Sequence, residues 1–169
     1  MNKIYLLDTN ALFNYIKNKA IYNSLDSNLK SNVDKLESGD CYISEITTVE
    51  IISTLGKYAR GGLGAEKRMN KKKVKAWLKA INQVIDANEE NDFKVEIVPF
   101  NQQVIVKARI IIYSALKYKF ASMDAMIAAT AIDLFSNHDY EEKFLITSDT
   151  SLICALELHN IPYWDAFKL

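Results

Sequence analysis

The chain reads as an α/β protein: a parallel sheet covered on both faces by helices. Three features predict that class. Short apolar runs rich in β-branched and aromatic residues alternate with longer helical patterns, the order that builds strand–helix–strand units. The first run, IYLL at residues 4–7, is continuously apolar, as a strand buried on both faces must be. Finally, 169 residues with 49% hydrophobic content suffice for one domain with a substantial core but not for two comfortable ones.

Taken in order, the expected strands are 3–7 (KIYLL), 41–43 (CYI), 94–98 (KVEIV), 143–147 (KFLIT) and 161–164 (IPYW). Between the first two the chain is assigned as helical without bounds. Ser44 suits the N-cap of a helix over 45–59, because its hydroxyl can accept one of the orphan N–H groups of the first turn. Gly61, Gly62 and Gly64 in RGGLG interrupt the pattern and mark a joint. Residues 65–87 then carry apolar side chains at 74, 77, 78, 81, 84 and 85, the i, i+3, i+4, i+7 spacing of one helix face. Helices over 101–118, 123–136 and 150–158 follow.

Composition excludes several classes. No uninterrupted apolar stretch approaches the roughly 20 residues of a membrane helix, and MNKIYLLDTN has too short an apolar run for a signal peptide. A soluble, cytoplasmic protein without a membrane partner is expected. Cys41 in DCYI and Cys154 in LICAL sit in apolar contexts without CxxC spacing, so both are expected as buried, reduced thiols. With only His138 and His159 present, the sequence argues against a histidine-based metal centre. Net charge is zero, yet nine cations between Lys57 and Lys79 stand against the single acid Glu66. Lys67, Arg68, Lys71, Lys72 and Lys73 are the candidates for contact with RNA phosphates, since each neutralised phosphate releases counterions. A solvated helix face is the alternative.

Four acids carry the chemistry. Asp8 in IYLLD and Asp149 in FLITSD each follow an apolar strand, at the edge of a parallel sheet where ligands bind. A capping or turn role would also explain each. Glu50 in SEITTVEI shares a helix face with Ile46 and Val49, the side expected to look inward. An unpartnered carboxylate buried there costs several kcal/mol, so it needs a cation, donors or a proton; a solvated Glu on a misjudged helix phase is the alternative. Asp124 opens SMDAMIAATAI, where Ser122 can cap, the helix dipole favours an acid, and the small residues suit close packing on the sheet.

In this order the residues resemble the PIN-domain ribonucleases, and most closely the VapC-like toxins of toxin–antitoxin pairs, over nearly the whole chain. LLDTNAL is similar to the first motif, a strand ending in Asp followed by x-Asn or x-Ser, with Asp8 and Asn10. ISEITTVEI resembles the second, S-x-I-T-x-x-E, with Glu50. SMDAMIAATA is similar to the third, D-x-x-I-A-A-x-A, with Asp124, and FLITSDTSL to the fourth, L-x-T-x-D, with Thr147 and Asp149. Aspartyl-nucleophile phosphotransferases also begin with a strand ending in Asp, but they place a second Asp two residues on, where this chain has Asn10.

The resemblance implies a three-layer α/β/α sandwich with a central, mainly parallel sheet, a single domain over 1–169 with a basic helical insertion at about 61–92. It implies a metal-dependent endoribonuclease, the toxin of a pair held off by a cognate antitoxin, and a homodimer; the alternative is a catalytically silent PIN-like module that binds RNA or protein. All four acids would be catalytic. Asp8 and Asp149 would bind Mg²⁺ or Mn²⁺ directly, Asp124 would complete or bridge the site, and Glu50 would bind the metal or orient the attacking water. Such hard ions prefer oxygen ligands. Asn10 and Thr147 would hold the carboxylates in place, with simple turn or strand-end roles as the alternative. The chain departs from the family pattern twice: Thr150, Ser151 and Leu152 follow Asp149 where many relatives carry a further acid, and the 61–92 segment is long.

Overall fold

The computed structural model describes residues 3–61, 69–85, 93–113 and 121–167. Strands β1 (Lys3–Leu7), β2 (Asp40–Ser44), β3 (Val95–Val98), β4 (Glu142–Ile146) and β5 (Tyr163–Trp164) form one sheet in the spatial order β3-β2-β1-β4-β5. Every pairing is parallel. Helices α1 (Thr9–Ala20), α2 (Ser27–Glu37), α3 (Glu45–Arg60), α4 (Lys71–Ile85), α5 (Gln102–Ile112), α6 (Ser122–Ser136) and α7 (Thr150–Leu158) cover it.

The central strand shows why the fold has three layers. Side chains alternate across a strand, and β1 is apolar at every position from Ile4 to Leu7. Tyr5 and Leu7 enter one core with Leu12 and Tyr15 of α1, Val33 and Leu36 of α2, Ile51 and Leu55 of α3, and Ile81 and Val84 of α4. Ile4 and Leu6 enter the other with Val104 and Ile111 of α5, Ala128 and Leu134 of α6, and Leu152 and Leu156 of α7. Burying one such aliphatic side chain is worth about 1.5–3 kcal/mol, so neither helical layer is dispensable.

Local chemistry sets the helix ends that matter for the site. Ser44 caps α3, its hydroxyl accepting from Ile46 N at 3.4 Å. Gly61 closes the same helix in the left-handed region (φ 76°), its N–H reaching the carbonyls of Lys57 and Tyr58, a conformation costly for residues with a Cβ. The apolar stripe of α4 packs as its spacing predicts: Ile81 and Val84 are buried, and Val74, Trp77, Leu78 and Ile85 lie against the same core. Its lysines at 71, 72, 73, 75 and 79 are exposed.

Several expectations need correction. The inward face of α3 runs through Thr47, Ile51 and Leu55; Val49 is 65% exposed, and Glu50 is half-buried at the margin of that face. The helix is therefore rotated from the Ile46–Val49 phase, because the i, i+4 ridge of Thr47, Ile51 and Leu55 meets the sheet. Ser122 is the first residue of α6 and does not cap it; Ala121 holds the cap position, and Asp124 bonds its N–H. Cys41 is buried as expected, but Cys154 is exposed: its neighbours Leu152, Ala155 and Leu156 take the inward face of α7. Lys67, Arg68, Gly62 and Gly64 lie outside the described residues.

Candidate active site

Parallel register brings the ends of several strands to one rim. Leu7 pairs with Ile43 on one side and Ile146 on the other, and Ile146 pairs with Trp164. The residues that follow, Ser44, Asp8, Thr147 and Asp165, therefore stand in a row at the carboxyl ends of β2, β1, β4 and β5. The chain runs outward from β1 to β2 and β3, then returns to β4 on the opposite side of β1. Such a reversal opens the crevice in which α/β sheets bind their ligands.

Asp8 sits at the reversal. It caps α1, with Oδ1 accepting from Ala11 N at 2.6 Å, while Oδ2 accepts from the Thr147 hydroxyl. It is 3% exposed. Burial pushes its carboxyl up to about 7; the bonds from Thr147 and Ala11 oppose the rise, and the negative charges of Asp149 and Glu50 add to it. Asp149 caps α7 through Oδ1, which accepts from Ser151 N at 2.8 Å and Leu152 N at 3.0 Å. Thr147 ties the two together, since its hydroxyl oxygen also accepts from Asp149 N at 3.0 Å.

Glu50 and Asp124 complete the acidic group. Glu50 Oε2 accepts from the Thr9 hydroxyl. Asp124 Oδ2 accepts from Ala121 N at 2.7 Å, and burial raises its carboxyl, helped by the charges of Asp149 and Glu50 and opposed by that bond. Asp149 and Glu50 thus bear on both Asp8 and Asp124. Among the described residues, no lysine, arginine or histidine forms an ion pair with any of the four.

This donor set suits a hard divalent cation, which takes carboxylate oxygens and would relieve the repulsion among them. The set is not a closed cage: among the described residues, no three acids, histidines or cysteines converge closely enough to hold an ion as they stand. Each carboxylate is instead turned by a hydrogen bond from its own surroundings, Asp8, Asp124 and Asp149 at helix starts and Glu50 at Thr9.

The PIN domain family model matches residues 5–155, spanning β1 to α7 and all four acids. The chain belongs to the PIN domain family. PIN domains are generally nucleases of the divalent-metal type. No curated protein matches the sequence. Among solved structures, this PIN domain is similar to FitAcB from Neisseria gonorrhoeae (22% identity, TM-score 0.61, covering 98% of this chain and 99% of that one). It is similar also to VapBC-1 from nontypeable Haemophilus influenzae (17%, 0.55, 98% and 99%). A third is VapBC2 from Rickettsia felis bound to a DNA fragment from their promoter (20%, 0.54, 96% and 99%). At these identities the likeness is one of fold.

The remaining candidate residues divide. Thr147 bonds Asp8, whereas Asn10 is exposed and bonds none of the four carboxylates; it lines a groove beside them. Two residues escaped the sequence reading. Thr9, inside LLDTN, positions Glu50 from 41 positions away. Ser148 donates to Asp165 at 2.5 Å, so a fifth acid stands at the rim, carried by β5 rather than by the fourth motif. A hydroxyl beside an expected carboxylate was the available signal for Thr9; nothing local marks Asp165.

Proposed function

We propose that this PIN domain is a Mg²⁺- or Mn²⁺-dependent endoribonuclease and the toxin of a toxin–antitoxin pair. The observation that carries the reading is Asp8: a carboxylate 3% exposed, at the sheet's reversal, feeling the charges of Asp149 and Glu50 and paired with no cation among the described residues. Asp8 and Asp149 would hold the ion, with Asp124 completing the site. A bound ion of this kind lowers the pKa of its water and offsets charge building on the scissile phosphate. The Thr147 hydroxyl holds Asp8 still, and the Thr9 hydroxyl holds Glu50, leaving Glu50 Oε1 to bind the ion or orient the attacking water. Fixing carboxylates in this way is what supporting hydrogen bonds do around metal sites.

The partners follow from the same reading. A cognate antitoxin is suggested by the VapBC structures that share the fold. A homodimer is supported by exposed apolar side chains, Val49 and Ile52 on α3 and Val106 and Ile110 on α5, a surface that water covers poorly. A silent, RNA- or protein-binding module is the second reading, favoured by the open arrangement of the acids.

Hydrolysis of a defined RNA by protein purified free of other nucleases decides between them. Wild-type protein is expected to cleave only with Mn²⁺ or Mg²⁺. Asp8→Asn is expected to lose at least about 100-fold, beyond the roughly 10–100-fold typical of a supporting residue, while keeping its circular dichroism spectrum. Wild-type rates in a folded Asp8→Asn protein would refute the nuclease reading.

A further inference from the structure

The turn from β4 into α7 is held from both sides. Thr147, Ser148 and Asp149 follow one another there. Thr147 donates to Asp8 at the end of β1, and Asp149 accepts from Ser151 N and Leu152 N. Between them, the Ser148 hydroxyl donates to Asp165 Oδ1 at the end of β5, at 2.5 Å. Asp165 stands on a fixed support. Its neighbour Trp164 accepts from Thr147 N at 3.3 Å through its carbonyl, and the Ala166 carbonyl accepts from Asn32 Nδ2 of α2 at 2.7 Å. Ala166 is fully buried, and Trp164 and Phe167 pack against the core that α1, α2, α3 and α4 share.

We infer that Asp165 is a positioning residue: acting through the Ser148 hydroxyl, it fixes the turn that presents Asp149 and Thr147 to the ion. The inference rests on the metal-binding reading above and adds the residue that sets one of the ligands. A hydroxyl donating to a charged carboxylate makes one of the stronger hydrogen bonds, and this one joins residues 17 positions apart. Ser148 lies between the residue that holds Asp8 and the residue that would hold the ion, so a swing of its backbone moves both. Loss of a supporting bond of this kind costs about 10–100-fold in metal affinity or activity. Register also keeps Asp165 from sharing an ion with Asp8. Strand β5 is the second from β1, about 10 Å away, whereas two oxygens on one Mg²⁺ lie within about 4 Å of each other. The hydroxyls of Thr147 and Ser148 stand in that gap, one on each carboxylate.

Mn²⁺ binding, read from the electron paramagnetic resonance of the free ion, tests this apart from cleavage. Asp165→Ala and Ser148→Ala are each expected to weaken Mn²⁺ binding about tenfold. The double variant is expected to lose no more than either alone, since both changes break one link. Asp165→Asn, whose amide oxygen can still accept from Ser148, is expected to recover most of the affinity. In chelator, Asp165→Ala is expected to shift the ¹⁵N–¹H resonances of Asp149, Ser151 and Leu152, and Asp165→Asn to return them toward their wild-type positions. If Asp165→Ala does not fold, the affinity of Ser148→Ala decides. Losses that multiply to about 100-fold in the double variant, or no recovery in Asp165→Asn, would make Asp165 a ligand and overturn the inference. A lowered melting temperature with unchanged Mn²⁺ affinity and unmoved resonances would reduce the bond to a fastening and overturn it too. Firm Mn²⁺ binding that is equal in all variants would sink the inference and spare the metal reading. Wild-type protein that binds no Mn²⁺ would sink the metal reading, and the resonances in chelator would then decide whether Asp165 sets Asp149.

Discussion

Asp8 and Asp133 are both buried aspartates, 3% and 7% exposed, and the protein treats them in opposite ways. Asp133 on α6 receives Lys107 Nζ at 2.5 Å and Asn101 Nδ2 at 3.2 Å from the α5 region. Burial alone would raise its carboxyl, but the bonds from Lys107 and Asn101 and the lysine charge hold it below the ordinary value. Asp8 has a hydroxyl, a backbone N–H and two acidic neighbours instead. A buried charge that the fold compensates internally is a structural fastening between helices. One left uncompensated takes up a proton or a cation from outside, which is why the proposed function gives the metal to Asp8 and not to Asp133.

The largest way to break that contrast is pH. Without metal, native Asp8 keeps its proton to about pH 7, whereas the unfolded chain releases it near 4. The native state therefore binds more protons across that window, and stability falls as pH rises through it, by up to about 4 kcal/mol. Urea unfolding in chelator from pH 4.5 to 8 is expected to show this decline, flattened in Asp8→Asn. Equal slopes in the two proteins would mean that Asp8 is not the uncompensated group.

Metal comes next. Mn²⁺ at about 100 times its dissociation constant is expected to stabilise the wild type by about 2.7 kcal/mol, or roughly 5–11 °C in melting temperature. Asp8→Asn is expected to lose this gain and Asp133→Asn to keep it. A full gain in Asp8→Asn would move the ion elsewhere.

The smallest effect sharpens the other side. Lys107→Met strands Asp133 without its cation, at an expected cost of about 1–3 kcal/mol, below that of a fully buried pair because Lys107 is 28% exposed. The variant's response to Mn²⁺ should be intact. Loss of that response would show that the two aspartates are coupled.

Much of the architecture was legible in the sequence. The five strands fall within two residues of the apolar runs, and α3, α6 and α7 begin within one residue of their expected starts. Helices α1 and α2 were harder to bound. The second, SNLKSNVDKLE, buries only Val33 and Leu36, too few apolar positions to define a stripe. The phase of α3 was misread because Ile46, Val49, Ile51 and Ile52 offer apolar residues on more than one face.

Local pattern alone determined the class and the four acids: a strand buried on both faces must be apolar throughout, and a carboxylate ending such a strand or opening a helix stands out against it. Tertiary structure decided that, among the described residues, these four meet no cation while Asp133 receives Lys107. Ion pairs, the Thr9 and Thr147 bonds, the stand of Asp165 at the rim and the groove between α1, α3 and α4 all join residues far apart along the chain. Their distances are set by sheet register and helix packing, which no short stretch of sequence encodes.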